Sequence, residues 1–201
     1  MKSIPEFQKL TPHIATWSVY CDKARTSLHA HAHVFQDNLA LIDPVLPKSS
    51  SVWHKIMQMG NPNLIVLTNG NHERDSKRIA EEYKIPIAAS APASKSLSRK
   101  PDIILDDRVQ MQGLKPIYCP GGGPGESALF SESTRCLFLG DAIVNLPDTG
   151  LQLLPEKYCE DTKQNTRSLR QLLNLDFKLV LVAHGVPLSE SPKTQLKKLL
   201  S

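Results

Sequence analysis

Three short apolar runs in this chain stop abruptly at polar or glycine-rich turns. Leu64-Ile65-Val66-Leu67-Thr68 runs into Asn69-Gly70-Asn71-His72-Glu73-Arg74-Asp75. Leu137-Phe138-Leu139-Gly140 meets Asp141, and Leu179-Val180-Leu181-Val182-Ala183 meets His184-Gly185. In sheet proteins with helices outside, side chains at such strand ends converge on one edge, where ligands bind. The chemistry of this chain is therefore expected around residues 69–75, 141 and 184.

The rest of the pattern suits such a sheet protein. Short apolar runs predict strands at 15–20, 29–35, 39–42, 64–67, 87–89, 103–105, 117–119, 128–130, 136–139 and 179–182. Most are only 3 to 7 residues long and bounded by Asp, Asn, Gly or Pro. Helical spacing appears between them. Val52, Ile56 and Met59 share a face in 50–59, with serines preceding as caps; Ile79, Ala80 and Tyr83 do so in 75–84. Leu169, Leu172 and Leu173 cluster in 161–173, and a last helix has Ser191 as N-cap and Pro192 in first position. No repeat or low-complexity linker intervenes, so residues 1–201 read as one domain.

Composition narrows the partners. Of the 201 residues, 40% are hydrophobic and 22% charged, which is enough to build a core without disulfides or structural metal. The net charge of +4 is scattered, and no basic run exceeds a pair such as Lys197-Lys198. Neither a nucleic-acid stripe nor a membrane patch is expected. The opening MKSIPEFQKLTPHIATW lacks the apolar stretch of a signal peptide, and no window approaches a membrane span. Cys21, Cys119, Cys136 and Cys159 form no C-x-x-C pair. A reduced, cytoplasmic setting fits them.

The landmarks, taken in order, resemble the metallo-β-lactamase superfamily. Leu41-Ile42-Asp43-Pro44 matches its strand ending in Asp. Thr68 and the loop after it match the ligand loop, and Pro120-Gly121-Gly122-Gly123-Pro124-Gly125 stands where the family writes G-H-T-P-G. Phe138-Leu139-Gly140-Asp141 resembles F-x-G-D, and Ala183-His184-Gly185 resembles the terminal G-H-G. Five landmarks over roughly residues 15 to 186 make the resemblance specific where any one alone is weak. It implies a four-layer αββα sandwich of the metallo-β-lactamase type, an α/β fold with its site along one edge between two sheets. It also implies a two-zinc hydrolase site with about seven ligands, mostly imidazoles.

The chain departs from that ligand set. Against the family's H-x-H-x-D-H it has Asn69 and Asn71 for the first two histidines, Glu73 for the aspartate and Arg74 for the last histidine. Neutral amides are poor zinc ligands, and a guanidinium binds no metal. Gly122 replaces the histidine of the glycine loop. Only Asp141 and His184 keep their positions, too few for two metals.

Two readings remain open. In the first, Asp141 and His184 bind one divalent metal (zinc, iron or manganese), with His72 or His31 completing the shell. His31 belongs to the alternation His29, His31, His33, which otherwise reads as a polar strand face. That protein would be a metal-dependent hydrolase with a reduced, mononuclear site, acting on a small ester, thioester or phosphoester. In the second, no metal binds: Arg74 pairs with Asp141 or Glu73 and neutralises the buried carboxylate. The cleft of an inactive family member then holds a small anionic ligand through Arg74, Glu73, Asn69, Asn71 and nearby imidazoles. Asn69-Gly70-Asn71 is also a plain turn signal, and Glu73 suits a first helical turn. Asp43 is either a support for the ligand loop or a strand-ending turn residue before Pro44. The glycine loop lacks P-loop and dinucleotide spacing and reads as a turn of unusual backbone angles. The cysteines read as structural, and no G-x-S-x-G motif supports serine catalysis. No oligomeric state follows from these features.

Overall fold

The computed structural model describes residues 6–201; the first residues of the opening segment read above for a leader lie outside them. Thirteen strands and four α-helices follow one another in those residues. The first sheet runs in sequence order through β1 (Phe7–Thr11), β2 (Ile14–Cys21), β3 (Thr26–Phe35), β4 (Asn38–Ile42), β5 (Asn61–Val66), β6 (Ile87–Ala89) and β7 (Ile103–Ile104). Its first four strands pair antiparallel; β4 to β7 are parallel. Parallel pairs need crossovers. Helices α1 (Ser50–Met57) and α2 (Ser76–Tyr83) supply two of them.

The second sheet has the order β13 (Leu179–Val182), β10 (Cys136–Leu139), β9 (Ser127–Ser131), β8 (Leu114–Tyr118). Strand β13 pairs parallel with β10 after the crossover through α3 (Thr162–Leu172). A small hairpin, β11 (Ile143–Leu146) with β12 (Gly150–Leu153), stands apart, and α4 (Pro192–Leu199) ends the fold.

Three hydrophobic clusters account for the layering. Leu39, Leu41, Ile65 and Leu67 pack with Val52, Ile56, Ile79 and Ala80 of α1 and α2. Their neighbours Ala40, Ile42, Leu64 and Val66 point the other way and meet Phe138, Leu129 and Leu181 of the second sheet. Leu137, Leu139, Val180 and Val182 turn outward onto Leu169, Leu172, Leu196 and Leu200 of α3 and α4. Side chains alternate across a strand, so the central strands, buried on both faces, read as near-continuous apolar runs. The uninterrupted runs follow from this, and the order of layers is α, β, β, α.

All ten strands expected from the sequence are present, as are the four helices, with ends shifted by a few residues. Strands β1, β11 and β12 were not foreseen; each is a short stretch on an edge or a separate hairpin, where packing adds little pattern. Two cap expectations are corrected. Ser49 and Ser191 make no side-chain cap bond, and Ser191 adopts φ 47° instead of the extended cap conformation. Asp161 does cap α3, accepting from Gln164 N at 2.8 Å. The histidines of β3 are also corrected: His29, His31 and His33 form no polar outer face but are buried. His31 and His33 lie against Phe138 between the sheets, at 5.9 and 6.0 Å between ring centroids.

Candidate metal centre

Four strands deliver the site. The parallel pair β4 and β5 ends at Asp43 and Thr68, and the parallel pair β10 and β13 ends at Asp141 and His184. All four residues therefore sit at the same edge of the sandwich, with the loop of residues 69–75 crossing between them.

His72 is the centre of the network. Its Nδ1 lies 2.8 Å from Asp43 Oδ2 and 2.9 Å from Thr68 Oγ1. Thr68 in turn donates its backbone N–H to Asp43 Oδ1 at 2.8 Å and its hydroxyl to Oδ2 at 2.5 Å. Asp43 thus fixes both the strand end and the imidazole above it. The other ring nitrogen, His72 Nε2, faces Asp141 Oδ1 at 3.2 Å, and His184 Nε2 faces the same oxygen at 3.3 Å. His184 is held from behind, its Nδ1 lying 3.2 Å from the Ser27 carbonyl oxygen.

These three donor atoms form a group that can hold a metal ion, all lying within 4.8 Å of one another. His72 Nε2 and Asp141 Oδ1 are buried; they face each other at 3.2 Å, Asp141 Oδ1 also faces His184 Nε2 at 3.3 Å, and neither makes a hydrogen bond outside this group. Two ligands of a tetrahedral zinc at about 2.0–2.1 Å stand about 3.3 Å apart, close to the two distances observed. Two imidazoles and one carboxylate also suit zinc or ferrous iron. The residues fit one cation.

Among the described residues, the other candidates of the loop do not join this group. Asn69 Nδ2 is occupied by two carboxylates, donating to Glu126 Oε2 at 2.8 Å and to Asp141 Oδ2 at 3.3 Å. Asn71 is exposed; its backbone N–H closes the turn onto Asn69 Oδ1 at 2.9 Å. Glu73 turns away and accepts from Ser98 N at 2.9 Å and from Ser98 Oγ at 2.6 Å. Arg74 points inward, but its Nη1 donates to the backbone carbonyls of His29 (2.5 Å) and Asp43 (2.8 Å), with no ion pair to Asp141 or Glu73. His31 stays on its strand, with Nδ1 3.0 Å from Thr16 Oγ1, outside the three-donor group.

Both Asp43 (φ 48°) and Arg74 (φ 43°) adopt left-handed backbone conformations that cost an ordinary residue on the order of 1 kcal/mol. The bonds just described hold them there. The glycine loop carries unusual angles as expected: Gly121 has φ 109° and Gly125 φ 67°, and an added Cβ would lie 2.2 Å from backbone nitrogen at either position.

Electrostatics follow from burial and pairing. Burial alone would lower the His72 pKa, but Asp141 and Asp43 outweigh it and raise the imidazole to about 10. Burial likewise opposes ionisation of Asp43 and Asp141, yet His72 holds both carboxyls below their ordinary range. Glu126 moves the other way, pushed up to about 8 by burial and by Asp141. Sequence reasoning missed Glu126. Its signal was a charged residue directly before the fully buried strand β9, whose middle, Ala128-Leu129-Phe130, is apolar.

The family model for the metallo-beta-lactamase superfamily matches residues 1–201. DIM-1 metallo-beta-lactamase, solved after exposure to ceftazidime, superposes with a TM-score of 0.77 at 16% identity, covering 99% of this chain and 98% of that one. A metallo-beta-lactamase from Pontibacter korlensis gives 0.77 at 17% identity over 97% and 98%. One from Erythrobacter litoralis, with β-mercaptoethanol in its active site, gives 0.76 at 14% over 96% and 95%. At such identities the likeness speaks for the fold. No curated protein sequence matches the chain.

Proposed function

The chain belongs to the metallo-β-lactamase superfamily, and from that premise we propose that it is a metal-dependent hydrolase working with a single divalent cation on a small ester, thioester or phosphoester. The observation that carries this is the convergence of His72 Nε2, Asp141 Oδ1 and His184 Nε2, two of them buried and otherwise unpartnered. The degenerate loop is then a reduced site rather than a ruined one. A cation held there supplies Lewis acidity, polarising a carbonyl or phosphoryl oxygen and making water a nucleophile near neutral pH.

The chain's own residues prepare the place. Asp43 takes the Nδ1 side of His72 and so presents Nε2 toward Asp141, the outer support that metal-binding imidazoles usually have. The Ser27 carbonyl does the same for His184. Asn69 holds the second oxygen of Asp141 and leaves Oδ1 facing the two imidazoles. Glu126, kept protonated at neutral pH by burial and by Asp141, adds no further negative charge. All four cysteines are free, which supports a reducing cytoplasm as the setting. No helix of the described residues is long and apolar enough to cross a membrane.

The test is metal content. Untagged protein equilibrated with zinc, ferrous iron or manganese should retain about one ion per chain, lost in His184→Ala and His72→Ala, and should hydrolyse a panel of small esters and thioesters. Absence of bound metal at saturation, with an unchanged Tm, overturns this reading.

A second reading is favoured by one observation. Asp43 and Asp141 already face two cations, protonated His72 and Arg74, and Arg74 Nη2 is buried without a partner. A site balanced without metal would bind a small anion through that free nitrogen. Tight binding of inorganic phosphate to metal-free protein, abolished in Arg74→Met, would support it.

A further inference from the structure

Glu126 is the one buried acid near the metal centre that stands outside the three-donor group. It directly precedes β9, and only 1% of its surface is exposed. Its backbone is pinned on both sides. Glu126 N donates to the Gly123 carbonyl at 3.1 Å, and Cys119 N donates to the Glu126 carbonyl at 2.9 Å.

The carboxyl has a definite orientation. Oε2 accepts from Asn69 Nδ2 at 2.8 Å and from Gly123 N at 3.1 Å. Two N–H donors on one oxygen leave the acid proton, retained at neutral pH through burial and Asp141, to Oε1. The surroundings leave little slack. A Cβ on Gly140 would lie 2.4 Å from both Glu126 Oε1 and Thr68 Oγ1, and one on Gly123 would lie 2.8 Å from Asn69 Nδ2. A side chain at either place would displace this carboxyl or its partners.

Asn69 carries the contact onward. Its Oδ1 accepts from Asn71 N at 2.9 Å, which leaves Nδ2 turned toward the two acids. An amide nitrogen has two protons, enough for Glu126 Oε2 and for Asp141 Oδ2 at 3.3 Å. Turning the amide over would set its oxygen against Asp141 and break the turn at Asn71. An acid placed only to close the glycine loop needs Gly123 N and nothing more. The bond to Asn69 is what ties Glu126 to the site.

We propose that Glu126 is a positioning residue of the metal centre: it fixes the Asn69 amide, which holds Asp141 Oδ2 and so keeps Asp141 Oδ1 facing His72 and His184. This rests on the single-cation reading above. Outer partners of metal ligands orient them, and loss of one lowers metal affinity about 10–100-fold.

The experiment measures zinc affinity of the full chain by competition with a chromogenic chelator, together with the visible spectrum of the cobalt(II) form. Glu126→Gln offers a carbonyl oxygen to the same two donors and an N–H in place of the acid proton. It should keep zinc affinity within about threefold of the parent and leave the cobalt bands in place. Glu126→Met has similar length and no such acceptor; it should weaken zinc about tenfold or more and alter the bands. Asn69→Leu cuts the relay without touching the acid and should do the same. The double variant should bind no more weakly than the poorer single one, whereas independent losses would multiply to about a hundredfold. Should Glu126→Met fail to fold, Glu126→Gln carries the test. The Asn69 side-chain ¹⁵N–H signals of metal-free protein should shift in it, and unshifted signals overturn the contact. Parent-like zinc affinity in Asn69→Leu, multiplying losses in the double variant, or a Glu126→Gln as weak as Glu126→Met overturns the proposal. A parent that binds no zinc at saturation overturns the metal reading and this inference with it. A parent that binds zinc, beside variants that bind it equally well, overturns this inference alone.

Discussion

Two groups of buried histidine share this molecule and behave in opposite ways. At the strand ends, His72 sits between Asp43 and Asp141, and its pKa rises to about 10. On β3, burial drives His31 down to about 3 and His29 and His33 down to about 4. Nothing in the residue type distinguishes them. What differs is direct contact with a carboxylate: His72 lies 2.8 Å from Asp43 and 3.2 Å from Asp141, whereas Asp43 acts on His31 too weakly to offset the desolvation that penalises the imidazolium in both places. The same side chain is therefore a buried cation in one region and a neutral packing element in the other.

The largest expected effect tests that contrast through pH. The β3 histidines are depressed when folded, so between pH 6.5 and about 4 the unfolded chain binds protons that the folded chain refuses. Stability should fall as pH drops through that window, by about 1 kcal/mol per pH unit for each imidazole. His72 in metal-free protein has the reverse sign. Its folded pKa lies above the unfolded one, so its contribution is complete below pH 6.5 and fades as pH rises toward 10. Urea titrations across pH would show both limbs. His33→Leu should lower the slope of the acid limb by about 1 kcal/mol per pH unit and leave the alkaline limb unchanged, and a flat acid limb in the parent would break the comparison.

Next in size comes removal of the carboxylate that makes the difference. Asp43→Ala leaves His72 with Asp141 alone and strips Thr68 of two bonds. Breaking a buried pair of this kind costs about 3–5 kcal/mol, measurable by equilibrium unfolding, and the His72 imidazole should titrate lower by NMR. A loss below 1 kcal/mol would mean that Asp43 is only a turn residue.

The smallest effect sharpens the outline of the site. Glu73 is tied to the exposed Ser98, outside the metal group. Glu73→Ala should cost under about 1 kcal/mol in thermal unfolding and leave metal content unchanged.

Much of this was legible in advance because it depends on periodicity. Leu39 to Ile42 and Leu64 to Leu67 are apolar at every position because their two faces meet different layers. Asp141 and His184 could be found for a related reason: each directly follows such a run, so the strand dictates where its side chain emerges. The β3 histidines show where periodicity misleads. Their alternation was visible, but which side of the sheet lay against the second sheet was not, and a face read as polar proved to be interior.

In sum of causes, the sequence by itself determined the layers, the strand ends and two of the three metal-binding candidates, because backbone geometry carries side chains to predictable faces. The tertiary structure alone decided the loop. His72, Glu73 and Arg74 are consecutive, yet one turns to Asp43 and Asp141, one to Ser98 and one to the carbonyls of His29 and Asp43. No repeat governs a loop; each side chain goes where a distant partner satisfies its charge, and those partners lie at least 25 residues away in the chain.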